Sequence, residues 1–531
     1  MKQRLCMAVA AMTLATAASA QDIYKVEQVT NKDLNGTARF VGMGGAMGAL
    51  GADISTMGTN PAGIGLFRSS DINMTGSLNI QPDAEDFYDI NKTRASFDNI
   101  GFVVAARNSD SGVKFVNFGF NYQKSRNLKN FIGVQNFRTG GLSQSLQMLD
   151  LSYVNGWLDY RYEEDWDLTT PLTKLGYDTQ MLEPVYDNNG NIDGYNPVEA
   201  ESYDYKRVQW GSTQQYDFNI AMNWEDQVYA GLTLGVYNVN HHAGTDYTEW
   251  LPDANGGLHD YYMINEERLS GIGWDIKMGI ILRPIQESPF RIGLAVHTPT
   301  FYNLTQDAYL YMNSPFALYN DKGDLISNYT EADAEIWDNR YNIRTPWKFN
   351  LSLGTTVGNF LALGAEYEFA DYSSASISYD NYLDEWSNYW DQSVKDKPLN
   401  KEIDRFLKPV STLRLGAEAR LAKGVFARVG YNFVSAPFEK DAYLNLFTDS
   451  PSYFYSTNTD YVNWGDTHRA TAGLGVRGKH FYADMTYQYQ TQKGELYTFH
   501  VPEFAGEQNR LQAADIQQNR HNVMLTLGYK F

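Results

Sequence analysis

Charged side chains set two residues apart are the first feature of this sequence with chemistry in it. Glu366 and Glu368 alternate with apolar neighbours; Arg414, Glu418 and Arg420 do the same further on, and Arg428 follows after a short turn. Arginine can grip a carboxylate through two parallel N–H···O bonds, so Arg414, Arg420 and Arg428 are candidate anchors for an anionic headgroup. The same three can instead pair with Glu366, Glu368 and Glu418, because unpaired like charges at close range are costly. Asp187-Asn188-Asn189-Gly190-Asn191-Ile192-Asp193 has the oxygens of a calcium loop but puts Ile192 where an EF-hand needs glycine. It reads as a tight turn, as does Tyr319-Asn320-Asp321-Lys322-Gly323-Asp324. No Gly-x-Ser-x-Gly elbow, metal cluster or paired-carboxylate constellation stands out, so no enzyme, no metal and no cofactor are expected.

Those charges sit in segments with a period of two. In Thr412 to Leu421, Leu413, Leu415, Ala417, Ala419 and Leu421 alternate with Thr412, Arg414, Gly416, Glu418 and Arg420. Strict alternation gives a strand one face of each kind. After Lys423-Gly424 the pattern resumes with Val425, Ala427, Val429, Tyr431 and Phe433, which makes a hairpin. Strands of this kind are expected at 71–80, 98–107, 113–122, 215–224, 227–238, 266–283, 289–298, 346–357, 360–379, 410–422, 424–434, 467–478, 480–491 and 520–531. The connections fall into two classes. Pro284 to Pro289, Gly358-Asn359 and Lys423-Gly424 are short, whereas 123–214, 239–265, 299–345, 380–409, 435–466 and 492–519 are long. Short turns at one end, long loops at the other, charges beside glycine on the polar face and a terminal aromatic, Phe531, all fit an antiparallel transmembrane β-barrel of about fourteen strands.

Composition agrees. The chain has 38 Tyr, 27 Phe, 11 Trp and 44 Gly with 16 Pro in 531 residues, as expected for an apolar outer band, aromatic girdles and a polar lumen. The net charge of −20 argues against nucleic acid, which needs a basic surface; solvated acidic loops account for it. At the start, Lys2 and Arg4, the apolar Met7 to Ala17 and Ala18-Ser19-Ala20 ahead of Gln21 form an export signal cleaved after Ala20. Its apolar run is shorter than the roughly 20 residues of a membrane helix. The only cysteine, Cys6, leaves with it. The organisation expected is a signal peptide at 1–20, an N-terminal segment at 21–70 and a barrel at 71–531.

Residues 21–70 carry Gly42, Gly44, Gly45, Gly48 and Gly51, then Gly58-Thr59-Asn60-Pro61-Ala62-Gly63-Ile64-Gly65, and lack the lysine of a P-loop. The stretch Leu34 to Ile80, with Ala38-Arg39-Phe40, Gly44-Gly45-Ala46, Ala52-Asp53, Asn60-Pro61-Ala62 and Ser69-Ser70-Asp71, resembles the hatch and first strand of the FadL/OmpP1/TodX family of outer-membrane transport proteins. The resemblance implies a lumenal plug (hatch) with Asn60, Pro61, Ala62 and Gly63 at its gating turn. It also implies passive uptake of long-chain fatty acids or aromatic hydrocarbons across the outer membrane of a Gram-negative-type cell. Loops would capture the solute, and movement of the hatch or an opening in the wall would release it. The capture surface would be Phe131, Phe137, Leu142, Leu146, Leu149 and Trp157, part of it on an amphipathic helix over 142–151; that helix can equally serve to pack the loop. The partners implied are the hydrophobic solute, outer-membrane lipid and lipopolysaccharide, and the barrel-assembly machinery during biogenesis. Some relatives are labelled haem receptors, but His241-His242 reads as a solvated loop pair. A second reading is a barrel accessory of protein secretion or surface assembly, whose acidic, Tyr-rich loops bind partner proteins.

Overall fold

Along Asp71–Ile80, Ile72, Met74 and Leu78 are 44%, 49% and 48% exposed, while Asp71, Asn73 and Thr75 are 2%, 5% and 1% exposed. A water-soluble sheet hides its apolar face; this one hides its polar face. The same inversion holds along Val228–Val236, where Leu232, Leu234 and Val236 point out and Thr233 is buried, and at the C-terminal strand, where Leu525 and Leu527 point out and Thr526 is buried. Apolar outside and polar inside is the arrangement that hydrocarbon around a sheet requires.

The computed structural model describes residues 22–84, 91–108, 112–152, 157–162, 169–253, 255–319, 324–381, 392–444, 450, 457–501 and 511–531; the proposed signal peptide lies outside them. Eighteen hydrogen-bonded segments form one antiparallel sheet, and they make fourteen staves. These are β1 Asp71–Ile80, β2 Thr93–Arg107, β3 Val113–Arg138, β4 Ser202–Trp224, β5 Val228–Pro252 and β6 Leu258–Leu282. Then come β7 Arg291–His297 continuing as Phe301–Ser314, β8 Thr330–Arg344 continuing as Lys348–Val357, and β9 Leu361–Asp371 continuing as Ser376–Asn381. The last five are β10 Pro409–Ala422, with Gln392–Lys395 as its outlying piece, β11 Val425–Val434, β12 Tyr461–Arg477, β13 Phe481–Tyr497 and β14 Ala514–Lys530. β14 pairs with β1, Leu527 opposite Met74, so the sheet closes and has no edge.

All fourteen expected strands are present. Their lengths differ most from expectation on one side of the barrel, although β12, β13 and β14 also extend about six residues into segments read as loop. β3 to β8 run far past the apolar belt, so much of 123–138, 202–214, 239–265 and 301–344, read as loop from the sequence, is wall. Above Val236 on β5 the outward residues become polar, as at Asn240 and Asp246, and the inward ones mix His241, Thr245 and Glu249 with Val239, Ala243 and Tyr247, so the apolar-out, polar-in alternation that marks a barrel strand is lost. β7 and β8 each break once, at Thr298-Pro299-Thr300 and Thr345-Pro346-Trp347, where proline cannot donate to the ladder. Thr300 and Thr345 bridge the break by exchanging N–H bonds, from Thr300 N to Thr345 Oγ1 (2.8 Å) and from Thr345 N to Thr300 O (3.0 Å).

Short turns gather at the end holding Asp71 and Lys530, which by the usual layout of such barrels faces the periplasm. Trp224, Phe360, Phe481 and Phe531 are exposed there, and Trp274 stacks on Phe301 at 5.0 Å toward the other margin. These are the aromatic girdles of a membrane protein.

The other end is closed by helices α3 Ser145–Leu151 and α4 Pro171–Asp178. With the tips of β3 to β6, β12 and β13 they enclose an apolar cluster that includes Met148, Leu172, Tyr203, Tyr247 and Phe499. Glu249 is buried within this cap, accepting from Ser143 Oγ, Gln144 N and Tyr247 OH, each at 2.6 Å. Burial pushes its carboxyl up to about 7, against the pull of those three donors. The folded state therefore favours the protonated acid. That contribution is complete below the unfolded value near 4.5 and is lost as pH rises through about 7. Amide exchange in Ser145–Leu151 should quicken by at least about tenfold between pH 5 and pH 8 beyond its intrinsic base dependence. Glu249→Gln should remove that excess; an unchanged excess would clear Glu249 of the effect.

Candidate functional site

The lumen holds residues 22–70, and short-range polar chemistry explains how they fold there. Asp22 caps helix α1 (Ile23–Thr30) by accepting from Lys25 N, and Thr37 caps α2 (Ala38–Gly42) by accepting from Phe40 N. Asp53 holds Thr37 Oγ1 at 2.8 Å and caps the 3-10 turn Ile54–Gly58. Asn60 caps the next, Pro61–Leu66, accepting from Ala62 N at 3.1 Å with Pro61 in the first position.

The wall receives this segment through its inward polar side chains. Ala38 N donates to Thr526 Oγ1 (2.7 Å), Thr486 Oγ1 donates to Ala38 O (2.5 Å), and Asn117 Nδ2 donates to Ile64 O (2.7 Å). His297 and Asn350 both reach Thr59 O. These anchors come from β14, β13, β3, β7 and β8, so the segment is tied right around the bore.

A second device is a row of glycines. Gly354, Gly364, Gly416 and Gly430 lie side by side on β8, β9, β10 and β11. The backbone of Met43 to Leu50 runs directly across them, and a Cβ on Gly364, Gly416 or Gly430 would overlap main-chain atoms of Ala46, Met43 or Gly44. Gly44 and Gly45 take positive φ, 61° and 80°, to lie flat against this patch. Gly231 and Gly279, paired on β5 and β6, seat Asn60 and Pro61 in the same way.

Charge is matched across the interface. Arg39 donates to both oxygens of Glu418, Nε to Oε2 at 3.0 Å and Nη2 to Oε1 at 3.1 Å. Arg428 meets Glu418 and Asp484, each at 2.6 Å; Arg414 meets Glu366 at 2.5 Å and Glu368 at 2.9 Å. Glu366 also accepts from Gly48 N at 3.0 Å. Elsewhere Lys277, fully buried, bridges Asp217 (2.9 Å) and Asp275 (2.8 Å), Tyr237 donates to Asp275, and Lys25 pairs with Glu267.

The residues singled out from the sequence fall as follows. Asn60, Pro61, Ala62 and Gly63 form the buried turn seated on β5 and β6. Arg414 and Arg428 are engaged by wall carboxylates, and Arg420 is exposed near the foot of β10; the three do not converge on one pocket. Leu149 is inside the cap cluster, and Phe137, Leu142, Leu146 and Trp157 pack partly buried against it; Phe131 lies outside it on β3. His241 turns inward to Thr213 Oγ1 (2.8 Å), while His242 stacks on Trp210 at 5.2 Å, so the pair is part of β5 and not of a loop. Asp187 accepts from Asn189 N and Asn191 N at the turn between strands Leu182–Tyr186 and Ile192–Pro197; residues 320–323 of the second turn lie outside the described residues.

Sequence reasoning missed Arg39, Lys277 and the glycine row. Lys277 has a visible signal, since Asp275 and Lys277 share the polar face of β6, two apart.

The cavities between segment and wall include two of about 100 and 80 Å³. Asn31, Asp33 and Arg469 line both.

No protein-family model and no curated protein matches the chain. Among solved structures it is similar to the Ralstonia pickettii toluene transporter TbuX, at 12% identity over 94% of this chain and 99% of that one, TM-score 0.44. It is similar to the P. putida toluene transporter TodX (10% identity, same coverages, TM-score 0.47) and to a Pseudomonas aeruginosa FadL homologue (12%, same coverages, TM-score 0.48).

Proposed function

We propose that this barrel is an outer-membrane channel for passive uptake of hydrophobic small molecules, with residues 22–70 as its hatch. The observation that carries this reading is the occupied bore. A segment hydrogen-bonded to five strands and laid on a glycine row fills much of the space a general polar porin would keep open, which disfavours that reading. The apolar cap, with Phe137, Leu142, Leu146 and Trp157 at its partly exposed margin, supplies a surface on which a greasy solute can first rest. The family-like stretch Leu34 to Ile80 supports the same reading.

Uptake by cells with and without the gene tests it. Radiolabelled oleate or toluene should enter measurably faster with the protein present, and a small sugar should enter equally in both strains. Unchanged entry of both hydrophobic tracers, together with loss of other surface proteins on deletion, would transfer the assignment to the secretion accessory.

A further inference from the structure

The lumenal cavity of about 100 Å³ has two unlike walls. One is aromatic: Tyr24 of α1 lies 4.8 Å from the Phe438 ring and 5.3 Å from the Tyr461 ring, with Trp464 beside them. The other carries Arg126, Arg207, Arg469 and Arg520 from β3, β4, β12 and β14.

The basic wall has more donors than its surroundings use. Arg207 pairs with Asp460, yet its Nε is buried with no acceptor among the described residues. Gln518, 4% exposed, has its Nε2 in the same condition, as does Arg520 with its Nε. Against these three unmatched donors, the cavity lining presents one unmatched acceptor, Asn130 Oδ1. Arg469 donates through Nε to Gln490 Oε1 and through Nη1 to Asn432 Oδ1, each at 2.8 Å, and two of the acids that line the cavity stand back from the arginines. Glu27 stands 3.8 Å from Arg126 and Asp33 3.8 Å from Arg469, beyond hydrogen-bond range, and no carboxylate among the described residues forms an ion pair with Arg520. Buried donors without acceptors are costly unless a ligand supplies them.

We propose that this cavity binds an organic anion with an aromatic body, its acid group taken by Arg469 and Arg520 and its ring placed along Tyr24, Phe438 and Tyr461. A volume of about 100 Å³, against roughly 10–15 Å³ for one water by the same measure, suits a one-ring acid. The proposal rests on the transport reading and narrows its solute from hydrophobic molecules in general to those carrying a carboxylate or a similar acid.

Three probes of one shape test it on the full chain in detergent micelles: benzoate, benzyl alcohol and toluene, titrated calorimetrically. Benzoate should bind about tenfold to a hundredfold more tightly than benzyl alcohol, the factor that charged hydrogen bonds supply. The double variant Arg469→Gln/Arg520→Gln should lose that margin and leave benzyl alcohol and toluene unchanged, while Arg520→Lys keeps most of it. Equal binding of benzoate and benzyl alcohol, or no binding of benzoate, overturns the proposal without touching the transport reading, which stands or falls on uptake. If the double variant does not fold, as judged by heat-modifiable migration on a gel, the wild-type comparison of the three probes decides alone.

Discussion

Gly364→Val combined with Gly416→Val should give a barrel that still inserts in membranes but conducts ions steadily, where the native protein stays closed. The two glycines are neighbours on β9 and β10, and each touches the main chain of the N-terminal segment at Ala46 or Met43. A branched side chain has nowhere to go, because what it meets is backbone on one side and its own sheet on the other. Overpacking of this kind costs about 1–3 kcal/mol per site, and the segment relieves it by lifting off the wall. The lipid-facing residues of those strands, Leu363 and Leu415, are untouched, so closure of the sheet is retained. Planar-bilayer recording is the measurement, with Leu415→Val on the outer face of β10 as the control. A double variant that stays closed, with native resistance to urea, would show that contact with the glycine row does not hold the segment in place.

Lys277→Met should destabilise the whole barrel. Lys277, Asp217 and Asp275 are buried on three positions of β4 and β6, and Tyr237 donates to Asp275 beside them. Removing the ammonium leaves two carboxylates facing each other, with Lys32, which reaches Asp275 through Tyr237 OH, as a remaining counter-charge. Breaking a buried ion pair from one side costs about 3–5 kcal/mol, whereas replacing all its members is far milder. Urea unfolding followed by tryptophan fluorescence should therefore show a large loss for Lys277→Met and a substantial recovery when Asp217→Asn and Asp275→Asn are added. If the triple variant is no better than the single one, the loss comes from packing and the charge argument fails.

The strands were legible because lipid on one side and water on the other impose a period of two, and Leu413 to Leu421 or Val425 to Phe433 display it without interruption. Legibility ended where the lipid ends. On β5 beyond Val236 the outer face meets water, with Asn238, Asn240 and Asp246, and the inner face meets both polar and apolar groups, so Asn238 to Glu249 lacks the lipid-facing stripe that marked the strands elsewhere. The inward position of Arg414, Glu418 and Arg428 could be read from alternation. Pairing of Arg414 and Arg428 with Glu366, Glu368 and Glu418 was one of the two readings the alternation left open, but the share of Glu418 taken by Arg39, 379 residues away in sequence, was not visible. The helix at 142–151 appears as Ser145–Leu151, and its burial in the cap depends on strand tips whose height the sequence concealed.

The inverted wall also bears on how such a chain reaches its membrane. A helix destined for a bilayer must gather about 20 apolar residues in succession, and that run is what an insertion channel detects and releases sideways into lipid. Here the greasy exterior is assembled from every second residue, and beyond the expected export signal the apolar runs, such as Phe102-Val103-Val104-Ala105-Ala106, are only a few residues long. To a channel that samples consecutive residues the polypeptide is an ordinary polar cargo. Its lipid-facing character comes into being only when the strands pair, so an inner bilayer met on the way offers it no place to stop.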